Sequence, residues 1–189
     1  MIIRFATGNI NKLEEFKKYL SPLGIEIIHE EIDCPEIRSD SIEEIASASA
    51  QYVVNITKKP VIVEDTGLFI KSLNGFPGTY TKWVHQKIGH EGLFRLLKGK
   101  DTTAEFRTCI AYAPAPKKKP LTFLGIVKGK VILEERGTKG WGHDPIFIPD
   151  GYDKTWGEDP ELKARTSHRV RALEKFSEWF KKNGQKCER

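Results

Sequence analysis

Ile2-Ile3-Arg4-Phe5-Ala6-Thr7-Gly8-Asn9-Ile10-Asn11-Lys12-Leu13 is the stretch that decides the class of fold. Ile2–Ala6 is a short apolar run of the kind that forms a buried strand, and Thr7-Gly8-Asn9 breaks it. From Asn11 to Leu20 the apolar residues Leu13, Phe16 and Leu20 fall on one helical face, and Gly24 lies just beyond the end. Glu26–His29 reads as a second strand. Strand, helix and strand in quick succession predict an α/β start.

The pattern continues outward. Ser41-Ile42-Glu43-Glu44 has the form of a capping box and predicts a helix to about Val54. Pro60 precedes Val61-Ile62-Val63, a buried strand. The middle of the chain differs: Ala104–Ala113 alternates, Pro114 to Pro120 is a turn, Leu121–Lys128 is a strand and Val131–Glu134 is another after Gly129, an antiparallel meander. A last helix runs from about Ser167 to Lys182, with Val170, Leu173, Phe176 and Phe180 as its buried stripe and Gly184 as its stop. The expected fold is a mixed α/β sheet flanked by helices. It has two lobes, an antiparallel hairpin region and a ligand groove between the lobes.

A chain of 189 residues favours a single domain, 1–189, large enough to bury ~70% of its unfolded surface. Apolar residues make up 39% and charged residues 30%, a globular balance. The longest apolar runs are only a few residues, so no membrane partner is expected. Met1-Ile2-Ile3-Arg4-Phe5 enters a strand directly, without the features of an export signal. Cys34, Cys109 and Cys187 are odd in number and far apart, with no C-x-x-C. They predict neither a disulfide framework nor a zinc site. A reducing cytoplasm is the simple expectation.

Net charge is +5 with a pI near 9.0, which suits a polyanionic ligand or serves solubility alone. Lys117-Lys118-Lys119 reads as a solvated loop tip. A nucleic-acid-binding module fits the charge and predicts steep salt dependence. It leaves Glu64-Asp65 without a purpose, since carboxylates repel phosphate unless a metal intervenes.

Four segments carry chemistry. Thr7-Gly8-Asn9-Ile10-Asn11-Lys12 opens a helix whose first N–H groups and dipole suit a phosphate. Lys12 sits where that dipole disfavours a cation, which an anion nearby would explain; the same segment admits plain capping by Asn9 or Asn11. Val61-Ile62-Val63-Glu64-Asp65-Thr66-Gly67 ends a buried strand on two carboxylates, which call for a metal, a base or a donor. Magnesium prefers such oxygen ligands. Adjacent residues on a strand face opposite sides, so Glu64 and Asp65 are expected to differ in role. Ser167-His168-Arg169 opens the last helix as a second anion site or a plain cap, with Lys163 upstream. Gly140-Trp141-Gly142-His143-Asp144-Pro145-Ile146-Phe147 offers rings for stacking and exposed backbone for reading a base edge, or a tight turn anchored by tryptophan.

Taken in order, these segments resemble the inosine triphosphate pyrophosphatase family, the dITP/XTP pyrophosphatases. The pieces are Thr7-Gly8-Asn9-x-x-Lys12, Pro35-Glu36, Val63-Glu64-Asp65-Thr66-Gly67, Gly75-Phe76-Pro77-Gly78, Trp141-Gly142-His143-Asp144-Pro145 and Ser167-His168-Arg169. The resemblance spans residue 2 to about residue 180. It implies an elongated α/β homodimer that hydrolyses non-canonical purine triphosphates (ITP, dITP, XTP) to the monophosphate and pyrophosphate with Mg2+. By similarity, Thr7, Gly8, Asn9, Ile10, Asn11 and Lys12 hold phosphates. Glu36 and Asp65 serve the metal, Asp65 is also the general base, and Thr66 contacts substrate. Trp141, Gly142, His143 and Asp144 form the base pocket, and Lys163, His168 and Arg169 complete the nucleotide site.

Two departures stand out. Ala46-Ser47-Ala48-Ser49-Ala50 lacks the lysine that family members often carry before the Glu-Asp pair, and His143 stands where a phenol ring is common. Cleavage between the α and β phosphates follows from the resemblance alone; the residue chemistry equally allows loss of the γ phosphate. A sibling class that cleaves modified pyrimidine triphosphates is the nearest alternative, and Trp141–Asp144 and Ser167–Arg169 speak against it.

Overall fold

A computed structural model describes residues 1–35 and 37–183. Glu36, Gly184 and Cys187 lie outside the described residues. The described chain forms strands β1 (Ile2–Ala6), β2 (Glu26–Glu30), β3 (Val61–Ile70), β4 (Pro77–Gly78), β5 (Thr103–Ala113), β6 (Leu121–Val131) and β7 (Phe147–Pro149). The helices are α1 (Ile10–Leu20), α2 (Ile42–Thr57), α3 (Thr81–Leu97), α4 (Pro160–Thr166) and α5 (His168–Asn183). The strands make one seven-stranded sheet in the order β2-β1-β3-β5-β6-β7, with β4 beside β3. β1 runs parallel to β2 and β3, whereas β4 is antiparallel to β3 and β7 to β6. This is the expected mixed α/β architecture.

The chain divides into two compact units. The first contains Met1–Asp65, Thr108–Gly125 and the chain from Ala172 onward; the second contains Thr66–Arg107 and Ile126–Arg171. β3, β5 and β6 contribute residues to both.

In the first unit, strand alternation builds two cores. Ile3 and Phe5 of β1, Ile62 of β3, and Ile110 and Tyr112 of β5 pack with Leu13, Phe16 and Leu20 of α1 and Leu173 and Phe176 of α5. The intervening residues Ala6, Val61, Val63, Cys109, Ala111 and Ala113 pack with Ile42, Ala46, Ala50, Val53 and Val54 of α2. Period-two strands between helical stripes explain why both faces are apolar. Asn9 caps α1 and Ser41 caps α2. The α2 cap is half of the expected box: the Ser41 hydroxyl accepts from the Glu44 N–H, but Ser39 takes both the Glu44 carboxylate and the Ser41 N–H.

In the second unit, Leu68 and Ile70 of β3, Leu93 and Leu97 of α3, Phe106, Val127, Val131, Phe147, Trp156 and Leu162 form one core. Two sequence expectations fail here. The strand expected at Val131–Glu134 does not form. β6 runs on through Gly129 to Val131 and pairs with Phe147–Pro149 instead. Gly129 lies so close to the Ile148 carbonyl that a Cβ would collide with it, so this glycine admits a neighbouring strand rather than ending one. The strand expected to end on Glu64-Asp65 extends to Ile70. Gly67 makes that possible, because a Cβ there would stand 2.5 Å from the Gly78 carbonyl of β4.

Candidate active site

The sequence-selected residues fall into two constellations, one in each unit. In the first unit, β1 ends at Ala6 and Thr7–Asn9 turns the chain into α1. The Thr7 hydroxyl accepts from the Asn9 N–H at 3.2 Å, and Asn9 Oδ1 accepts from the N–H groups of Asn11 at 3.0 Å and Lys12 at 3.4 Å. Asn9 is therefore the helix cap. His29 of β2 places Nε2 2.7 Å from the Thr7 carbonyl and ties the loop to the sheet. Gly8 and Ile10 are exposed. A Cβ at Gly8 would meet nothing within 4 Å, so packing within the chain does not demand glycine there.

Glu64 and Asp65 take opposite faces of β3, as strand alternation dictates. Glu64 lies on the Ile62 side, towards α1, where Lys12 Nζ is 2.5 Å from its Oε2 and 3.3 Å from its backbone carbonyl. Thr108 of β5 donates to Glu64 Oε1 at 3.3 Å. The Glu64 side chain is fully buried, so this pair is what allows a carboxylate there. Asp65 is half-buried on the Val61–Val63 side. Cys109, on the same side, shows the local field: burial, then the charge of Glu43, with smaller effects from Asp65 and Glu64, pushes its thiol up to about 12.

The second constellation surrounds Trp141. Gly140 has φ 77°, and a Cβ there would collide with Asp144 Oδ2; only glycine permits this turn. Asp144 Oδ2 accepts from the Trp141 N–H at 2.7 Å and from Lys163 Nζ at 2.7 Å. Lys163 Nζ also stands 4.7 Å from the Trp141 ring centroid, and the guanidinium of fully buried Arg169 stands 5.3 Å from it. Both cations stay within cation–π range of the indole. His168 is stacked on Phe106 with centroids 4.9 Å apart and lies 5.6 Å from Trp156. Ser167 is a cap for α5, its hydroxyl accepting from the Val170 N–H at 3.2 Å. Thr66 is half-buried on β3, one residue beyond Asp65.

His143 is buried, its ring among those of His85 and His90 of α3. Burial, then the neighbouring His85 and His90, push it down to about 3, so it is neutral at physiological pH. No spacing in the sequence joins His85 and His90 to His143; α3 itself, with its break at Gly89, was not read from the sequence. His29 was equally invisible, because its partner is the Thr7 carbonyl in the loop that follows β1.

The Ham1 family model matches residues 3–179. The dITP/XTP pyrophosphatase of Methanopyrus kandleri is 48% identical over 97% of this chain and 98% of its own length. That of Thermococcus kodakarensis is 42% identical over 97% and 99%. Among solved structures, the Staphylococcus aureus Ham1 protein superposes with a TM-score of 0.85 at 27% identity, covering 97% of this chain and all of that one. A HAM1 protein from Coxiella burnetii gives 0.85 at 29%, over 96% and 99%. With a family match over almost its whole length and relatives this similar end to end, the chain belongs to the Ham1 family.

Proposed function

We propose that this protein hydrolyses non-canonical purine nucleoside triphosphates (ITP, dITP and XTP) to the monophosphate and pyrophosphate, so removing them from the nucleotide pool. The dITP/XTP pyrophosphatases similar along the whole chain support the reading. The observation that carries it is the Lys12–Glu64 pair, which fixes an ammonium at the start of α1, with Asp65 next to it in the chain.

In this reading the Thr7–Lys12 loop handles phosphate. Gly8 leaves open space beside the backbone, and Lys12 keeps donor capacity beyond its bond to Glu64. The carboxylates offer only oxygen donors, and half-exposed Asp65 admits water, so they fit magnesium. Asp65, with Glu36 by resemblance, would hold that ion. Magnesium, when bound, offsets triphosphate charge and orients water. Asp65 accepts the proton of the attacking water as general base. Lys12 supplies positive charge of the kind a departing pyrophosphate requires, and by resemblance Lys163 and Arg169 contact the nucleotide.

Trp141 provides a stacking ring, and Asp144 fixes both the turn and Lys163. Edge reading falls to the N–H groups of Gly142 and His143 rather than Asp144, whose N–H lies 3.3 Å from the Trp141 carbonyl. Thr66 and His168 complete the substrate contacts. Exposed Phe76, Tyr80, Trp83 and Ile88 supply apolar surface for a homodimer, which sedimentation would test. Cys34 and Cys109 are not joined in a disulfide, which fits a cytoplasmic setting, and among the described residues no helix is long and apolar enough to cross a membrane. The deciding experiment is product analysis with ITP and magnesium, scoring pyrophosphate against orthophosphate.

A further inference from the structure

We infer that His85, His90 and His143 form a binding site for a divalent transition-metal ion of the zinc class, separate in ligand chemistry from the carboxylates proposed for magnesium.

One ring nitrogen from each histidine lies within 4.8 Å of the others. The ring centroids are 4.6 Å apart for His85–His90, 4.8 Å for His85–His143 and 5.1 Å for His90–His143. Three imidazoles on one tetrahedral zinc, with Zn–N of about 2.0–2.1 Å, have centroids about 5 Å apart. The rings already hold that near-equilateral spacing.

Polar accounting points the same way. His143 Nε2 and His85 Nδ1 are buried and have no hydrogen-bond partner among the described residues. Unpaired buried nitrogens are costly, and a metal ion is a ligand that can satisfy a buried histidine nitrogen. His90 is oriented for the role: its Nδ1 is 2.6 Å from Glu135 Oε1. A carboxylate on the far nitrogen fixes the tautomer that turns a lone pair on Nε2 inward, where it now lies 3.1 Å from His143 Nδ1.

The backbone is built to gather these rings. On an unbroken helix, residues five apart point about 140° away from each other. Gly89, at φ 59° and ψ −165°, interrupts α3 between His85 and His90 and lets both rings meet His143. Only glycine adopts that conformation without strain. His85 is partly exposed and gives an ion a way in. Nitrogen donors select zinc, copper or nickel over magnesium, which takes oxygen. Because His143 belongs to the Trp141–Asp144 turn, a bound ion would also brace that turn.

The test is metal binding by the full chain, read without any turnover assay. The protein is stripped with chelator and titrated with Co(II), then with Zn(II). The expected result is one equivalent of Co(II) with the visible absorption of a four-coordinate, nitrogen-rich site, displaced by Zn(II) but not by excess Mg(II). Zn(II) should raise Tm. His85→Ala, at a partly exposed position that tolerates truncation, should abolish both signals, and Glu135→Gln should weaken Zn(II) binding about 10- to 100-fold. Absence of the bands and of the Tm shift in wild type would overturn the site. So would their persistence in His85→Ala, or their loss in Asp65→Asn, which would assign the ion to the carboxylates.

Discussion

Lys12 and Glu64 form an ion pair at 2.5 Å, with the glutamate side chain fully buried and the lysine 15% exposed. Lys12 therefore has a stability role as well as the proposed phosphate role. Removing one partner of a buried pair costs about 3–5 kcal/mol, because the other charge is left uncompensated. Lys12→Ala should lose about 3 kcal/mol in chemical denaturation and lose kcat/KM as well. Lys12→Met with Glu64→Gln should recover most of the stability and none of the activity. Full activity in a stable double variant would remove Lys12 from the phosphate site.

Asp65 differs from Glu64 in being half-exposed on the opposite strand face. If Asp65 is the proposed general base and metal ligand, its change to Asn should lower turnover by about 100- to 10,000-fold with little change in Tm. Excess chelator should silence the wild type. Near-normal turnover in either experiment contradicts the assignment.

The proposed stacking of the base on Trp141, worth ~1–3 kcal/mol, is blind to base identity. Trp141→Ala should weaken kcat/KM for ITP, XTP, GTP and ATP alike and leave the ITP-over-ATP ratio largely unchanged. A collapse of that ratio would give the indole itself the reading role now given to backbone N–H groups.

Cys109 offers a pH test. Its folded pKa is raised to about 12, above that of an exposed thiol, chiefly by burial. A raised acid stabilises the fold below the unfolded pKa and loses that contribution as pH climbs through the folded one. Wild-type stability should thus fall from about pH 9 upward more steeply than that of Cys109→Ala. Native protein should also shield Cys109 from thiol reagents that modify it on unfolding. Equal pH slopes for the two proteins would contradict the burial argument.

The α/β start was legible because β1, α1, β2 and α2 carry local signals: apolar runs, a helical stripe and capping residues. β6 misled because Gly129 has two local readings, a strand end or a close approach, and only the position of Ile148 decides between them. The segments of the proposed site were legible as motifs, since Thr7–Lys12, Glu64-Asp65 and Trp141–Asp144 are contiguous. Its couplings were not. The bonds from Lys12 to Glu64, Lys163 to Asp144, and His90 to His143 join residues far apart in the chain. A sequence shows that a buried carboxylate needs a partner but not which cation supplies it.

The most direct test of the central claim is the product formed from ITP with magnesium. Pyrophosphate and inosine monophosphate in equal amounts are the predicted outcome, with ATP handled ~10,000-fold less well if backbone donors read the carbonyl edge. Orthophosphate with inosine diphosphate, or ATP turnover within about tenfold of ITP, would contradict the account and make this a general nucleotide hydrolase.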